Sequence, residues 1–110
     1  MLLPDRERAW VPPSKLTLYL LSETHPVGRG KAQFFRGVGY DEQHLPELEQ
    51  DLLSLARREE VAEVAPSMHG TKYVIEGQVV TPTGRDVYIR TVWIVEPGGQ
   101  GPRFVSAYPQ

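Results

Sequence analysis

The sequence predicts an α+β domain in which two N-terminal helices pack on an antiparallel β-meander of three or four strands. Two observations carry this. Over residues 40–61, leucines recur at helical spacing between charged residues. After residue 61 the apolar period switches to two, and runs rich in β-branched and aromatic residues alternate with loops of glycine and proline. The 110-residue chain has the length of one domain. A domain of that size buries about two thirds of its unfolded surface, enough for a core without covalent staples.

The opening "MLLPDRERAWVPPSK" is polar and punctuated by proline. Pro12 and Pro13 argue against helix, so residues 1–14 read as an arm that Trp10 and Val11 pack down, ahead of a single domain over 15–110. "LTLYLLSETHP", 16–26, alternates in part and reads as a short strand or an extended lead-in. "HPVGRG", 25–30, reads as a loop. "KAQFFRGVG", 31–39, places Ala32 and Phe35 on one side of a short helix that Gly37 or Gly39 ends.

The clearest element is a helix over about 46–59. Leu45, Leu48, Leu52, Leu55 and Ala56 lie on one face. Pro46 suits the first turn, where its missing N–H costs nothing. Glu47 and Glu49 then sit at the positive end of the helix dipole and Arg57 and Arg58 at the negative end. "VAEVAPSM", 61–68, reads as a weak strand broken by Pro66. "TKYVIEGQVV", 71–80, and "VYIRTVWIV", 87–95, are strong strands joined by the turn "TPTGRD". After the loop "EPGGQGP", "RFVSAY", 103–108, closes the meander.

Period two assigns faces. Val87, Ile89, Thr91, Trp93 and Val95 share one side of their strand, opposite Tyr88, Arg90, Val92 and Ile94. In the last strand Phe104, Ser106 and Tyr108 fall together, opposite Arg103, Val105 and Ala107, so Arg103 reads as a surface charge. Two registers are open: Arg90 opposite Tyr108, or Thr91 there after a one-residue slip.

Composition narrows function. The chain contains no cysteine, which removes disulfides, thiolate nucleophiles and cysteine-ligated zinc. The formal net charge is −2, whereas a dedicated nucleic-acid binder is usually basic; a local basic cleft on an acidic body stays compatible. The longest apolar stretch, Leu16–Leu21, is too short for a membrane span, and the N-terminus lacks the order of a signal peptide. The expectation is a cytoplasmic protein with no membrane partner.

"GRGK", 28–31, is too short for a phosphate loop and lacks its hydroxyl. His25, His44 and His69 lack metal-type spacing, and no nucleophile elbow or paired carboxylates occur. The remaining set is His25, Lys31, His69, Lys72, Arg90, Ser106 and Tyr108. These residue types suit phosphodiester cleavage without a cofactor. Histidine shuttles protons, lysine and arginine hold the phosphate charge, and serine and tyrosine donate hydrogen bonds.

The stretches "YLLSETHPVGRGKAQFF", "HGTKYVIEGQVVTPTGRDVYIRTVWIV" and "PRFVSAYP" resemble a family of small bacterial domains of unknown function, over nearly the whole chain from about residue 15. The terminal "AYP" and the helix-then-meander order are in turn similar to the barnase–EndoU–colicin–RelE superfamily of metal-independent ribonuclease toxins. That tail often has a threonine where this chain has Ser106. The acidic charge and the lack of a histidine pair on the first helix depart from the pattern. The resemblance implies an endoribonuclease-like toxin of a toxin–antitoxin or related conflict system, with RNA and a small cognate antitoxin as partners. The alternative is a non-catalytic antitoxin or immunity-type binding module. The enzyme needs Lys72, Arg90, Ser106 and Tyr108 to converge on one concave, positively charged surface; an Arg90 salt-bridged across the sheet from the histidines would remove the enzyme reading.

Overall fold

The computed structural model describes residues 1–26 and 29–110. Val27 and Gly28, inside the loop expected over 25–30 and at the start of "GRGK", lie outside the described residues. Among the described residues three α-helices precede the sheet: α1 (Pro13–Lys15), α2 (Arg29–Gly37) and α3 (Leu45–Arg58). The sheet is a four-stranded antiparallel meander of β1 (Val61–Ser67), β2 (Gly70–Val80), β3 (Asp86–Val95) and β4 (Arg103–Pro109), in that spatial order. The predicted α+β class and the order of its main elements hold.

The leucines of α3 bury against the sheet, with Leu48, Leu52, Leu55 and Ala56 in the core. A one-turn 3₁₀ helix, Glu42–His44, leads into α3, and the Asp41 carboxylate accepts the Gln43 N–H at its start. The buried α3 side chains share one core cluster with Ile75, Val79, Ile89, Trp93, Phe104 and Ala107 of the sheet. Gly77 stands where α3 comes nearest: a Cβ there would run into the Leu55 side chain and lie 3.0 Å from Glu59 Cγ. Close helix–strand approach, rather than a special φ, explains that glycine.

Three expectations change. Residues 16–20 are neither strand nor extended. They form a wide π-type turn running on from α1, in which the Leu21 N–H donates to the Leu16 carbonyl at 2.8 Å. The apparent alternation misleads because Leu16 and Leu20, four apart, are buried while Leu18 between them is 69% exposed. Pro13 opens α1 at a position that needs no N–H, so only Pro12 stays outside the helix. Pro66 does not break β1, which continues to Ser67. As the outer strand, β1 has a neighbour on one side only, and an edge position tolerates a missing N–H.

The N-terminal arm contributes Leu3, Ala9 and Val11 to the core. Its Trp10 N–H donates to the Pro102 carbonyl and its carbonyl accepts from the Phe104 N–H, both at 3.0 Å. At the other side of the sheet the Met1 carbonyl accepts the Val61 N–H.

The fourth change sets the geometry of the site. Arg90 pairs with Tyr108 and Val92 with Ser106, but Trp93 pairs with Phe104, so β4 carries one extra residue at Val105. This bulge reverses the alternation within the strand. Phe104 and Ala107 are both fully buried, against the expectation that they oppose one another. Ser106 and Tyr108 do share a face, that of Arg90. Arg103, paired with Ile94, joins that same face instead of opposing it, and binds Glu96 at 3.0 Å.

Candidate functional site

Tyr19 is the junction of a polar cluster that joins the N-terminal helices to β4. The π-type turn points its ring toward the β4 edge, where the phenol oxygen lies 3.0 Å from Ser106 Oγ. Lys31, in the first turns of α2, donates to the same oxygen at 2.6 Å. Lys15 Nζ sits 4.8 Å from the ring centroid and Lys31 Nζ 5.0 Å. His25 meets the ring edge-on, with centroids 5.0 Å apart and planes at 87°. Lys15, Tyr19, His25, Lys31 and Ser106 are all half-buried, so the cluster is braced by the fold yet open to a ligand.

Burial pushes the Tyr19 phenol up. Hydrogen bonds from Lys31 and Ser106 and the charges of Lys31 and Lys15 outweigh it, and the phenol ends below the ordinary tyrosine value. Two ammonium groups, two hydroxyls and an imidazole gathered at one tyrosine suit an anion whose charge grows during reaction.

Arg90 lies on the same side of the sheet as Ser106 and Tyr108, directly across from Tyr108. Its guanidinium turns the other way, to Glu63 at 2.8 Å and Glu76 at 2.9 Å. The Glu63 hydrogen bond holds the guanidinium even more firmly in its charged form, with Tyr108 adding a smaller contribution. Arg90 Nε is buried with no hydrogen-bond partner among the described residues.

The structure thus gathers Lys31, His25 and Ser106 around Tyr19 and sets Tyr108 and Arg90 on the adjoining part of the sheet. Lys72, opposite Ile94, shares the Arg90 face but is exposed four positions before Glu76 in β2. His69 is exposed in the β1–β2 turn, its backbone N–H on Ser67 Oγ at 3.3 Å. Neither joins the cluster. Lys15 and Tyr19 escaped the sequence reading. Their spacing of four residues brings side chains together only on a helix, and the extended reading of 16–26 concealed it.

A separate hollow of about 510 Å³ lies between the start of α3 and the β2–β3 turn, lined by His44, Glu47, Gln50, Asp51 and Thr81 among others; it contains none of the expected residues. Among the described residues no group of three or more His, Asp or Glu is placed to hold a metal ion, and no helix is long and apolar enough to cross a membrane.

The sequence matches the profile of a domain of unknown function, DUF6883, over residues 2–110. No curated protein matches it. Among solved structures it is similar to a chain of a contact-dependent growth inhibition toxin–immunity protein complex from Klebsiella pneumoniae 342. The TM-score is 0.71 at 17% identity, over 91% of this chain and 98% of that one. At that identity the likeness is one of fold.

Proposed function

The chain belongs to the DUF6883 family, and on that footing we propose that it is a toxin-type domain of a bacterial conflict system that cleaves RNA without a metal. The observation that carries this is the junction at Tyr19, where Lys31 and Ser106 meet one phenol oxygen with Lys15 and His25 against its ring. The fold shared with a chain of a toxin–immunity complex supports the toxin-system part.

In this reading a ribose 2′-hydroxyl attacks the adjacent phosphorus. The 2′-oxygen gives up its proton, the P–O5′ bond breaks, and the 5′-oxygen takes a proton. Lys31 and Lys15 hold the charge that gathers on the phosphoryl oxygens, Ser106 donates to one of them, and His25 moves a proton. Tyr108, two residues along β4 on the same face, offers a further hydroxyl. Exposed Lys72 would meet the phosphate of a neighbouring nucleotide. Arg90 is salt-bridged to two carboxylates, so the charged surface expected of Lys72, Arg90, Ser106 and Tyr108 does not form, and the enzyme reading rests instead on the lysines around Tyr19; His69, in its distant turn, takes no part.

Growth and RNA integrity after induced expression in a bacterium test the reading. The wild type should slow growth and cut RNA, Lys31→Ala and Ser106→Ala should weaken both effects without abolishing cleavage, and Arg90→Ala should weaken them through stability. A folded wild type that neither slows growth nor cleaves RNA sinks it.

The neutralised Arg90 and the net charge of −2 favour a second reading, an antitoxin or immunity-type module that binds a basic partner. A chain of that kind would be harmless alone and would protect cells from its cognate toxin.

A further inference from the structure

We propose that Tyr19 is the group that takes the proton from the attacking hydroxyl in this site, with His25 as the complementary acid. This rests on the ribonuclease reading above.

The hydrogen-bond directions argue for it. An ammonium can only donate, so Lys31 obliges the Tyr19 oxygen to accept. With Tyr19 protonated, its own O–H is left for Ser106, whose proton then points outward. With Tyr19 ionised, Lys31 and Ser106 both donate to the phenolate, and the 3.0 Å contact with Ser106 serves either state. Two donors that converge on one oxygen stabilise the charged form.

The groups facing Tyr19 from each element packed on it are Lys15 of α1, His25 of the following loop, Lys31 of α2 and Ser106 of β4. Two are ammonium groups, one is a neutral hydroxyl and one an imidazole, and none of these four is a carboxylate. This matches the direction of the shift, in which the lysines and Ser106 outweigh burial. His25 meets the Tyr19 ring edge-on, with centroids 5.0 Å apart, so the proposal gives the imidazole and the phenol oxygen the separate roles of acid and base.

The balance closes. The 2′-O–H bond breaks as the Tyr19 O–H forms; the 2′-oxygen bonds to phosphorus; the P–O5′ bond breaks; and the 5′-oxygen takes the proton of the His25 imidazolium. Solvent then removes the Tyr19 proton and restores that of His25.

Two measurements on the full chain decide the matter. The first follows tyrosine ionisation by ultraviolet difference spectra, with wild type set against Tyr19→Phe and Lys31→Met. One of the five tyrosines should ionise before the rest, vanish in Tyr19→Phe and move to higher pH in Lys31→Met. If no tyrosine ionises early, the assignment is overturned whatever the activity. The second is the pH–rate profile for cleavage of an RNA oligonucleotide. Tyr19→Phe should lose about a hundredfold or more, and Lys31→Met should move the rising limb to higher pH. A Tyr19→Phe protein with the wild-type rate and profile overturns the assignment while leaving the ribonuclease reading standing. A wild type that cleaves at no pH overturns both. If Tyr19→Phe does not fold, Lys31→Met decides: an unmoved limb rejects the role.

Discussion

Arg90 and Tyr108 stand directly opposite one another in the β3–β4 ladder, yet the Arg90 guanidinium is bound to Glu63 of β1 and Glu76 of β2. One cation therefore links three strands across the open face of the sheet. Removing it leaves two carboxylates facing each other without a counter-ion. Arg90→Met should lower the urea midpoint, and Glu63→Gln with Glu76→Gln in the same chain should restore part of the loss. An Arg90→Met protein as stable as wild type would show the triad to be idle.

Beneath that face, Thr91 joins β3 to its neighbour in the core. Its hydroxyl donates to the Ile75 carbonyl at 2.7 Å and accepts the Trp93 indole N–H at 2.8 Å. Thr91→Val keeps the shape and strands the fully buried indole donor. The expected cost is about 1–3 kcal/mol, read by urea unfolding. In a Trp93→Phe background that cost should fall, because no indole donor is left to strand; an unchanged cost rejects the coupling.

Gly77 tests the approach of α3. A methyl there would enter space held by Leu55 and crowd Glu59. Gly77→Ala should destabilise by about 1–3 kcal/mol. A Leu55→Ala change in the same chain should make the two substitutions cost less than their sum. Strict additivity would place the strain elsewhere.

Helix α2 is tied down by Arg36, whose Nε and Nη2 donate to the Leu21 carbonyl at 3.1 and 2.8 Å and whose Nη1 donates to Glu42 at 3.0 Å. The Arg36 hydrogen bond holds the Glu42 carboxyl down to about 2, from an ordinary 4.5. Because the folded value is the lower one, the pair's contribution is fully present above pH 4.5 and disappears as pH falls toward 2. Glu42→Gln should thus be less stable than wild type at neutral pH and indistinguishable from it at the acid end. A difference that persists there would mean that something other than the charge is lost.

The helical leucines of 45–56, the period-two strands and the order of elements were legible because each is a local property. A side chain's spacing from its near neighbours is fixed by the chain itself. Even so, Leu16, Leu18 and Leu20 imitated a strand, since short apolar runs are ambiguous between the two periods. Burial of Leu16 and Leu20 beside Leu21 resolved it as helical.

The sequence by itself determined the fold class, the helix face that meets the sheet and the pairing of Ser106 with Tyr108 on one side. Three matters were decided only by tertiary structure. The bulge at Val105 turned Phe104 inward and brought Arg103 to the Arg90 face, because a single extra residue inverts every alternation before it. Arg90 found its partners on β1 and β2, since a long side chain chooses among neighbours that only the assembled sheet supplies. The candidate site formed where Tyr19 meets Lys31 twelve residues away and Ser106 eighty-seven away. Hydrogen bonds of that reach depend on how the π-type turn, α2 and β4 pack together, and no local period in the chain encodes that packing.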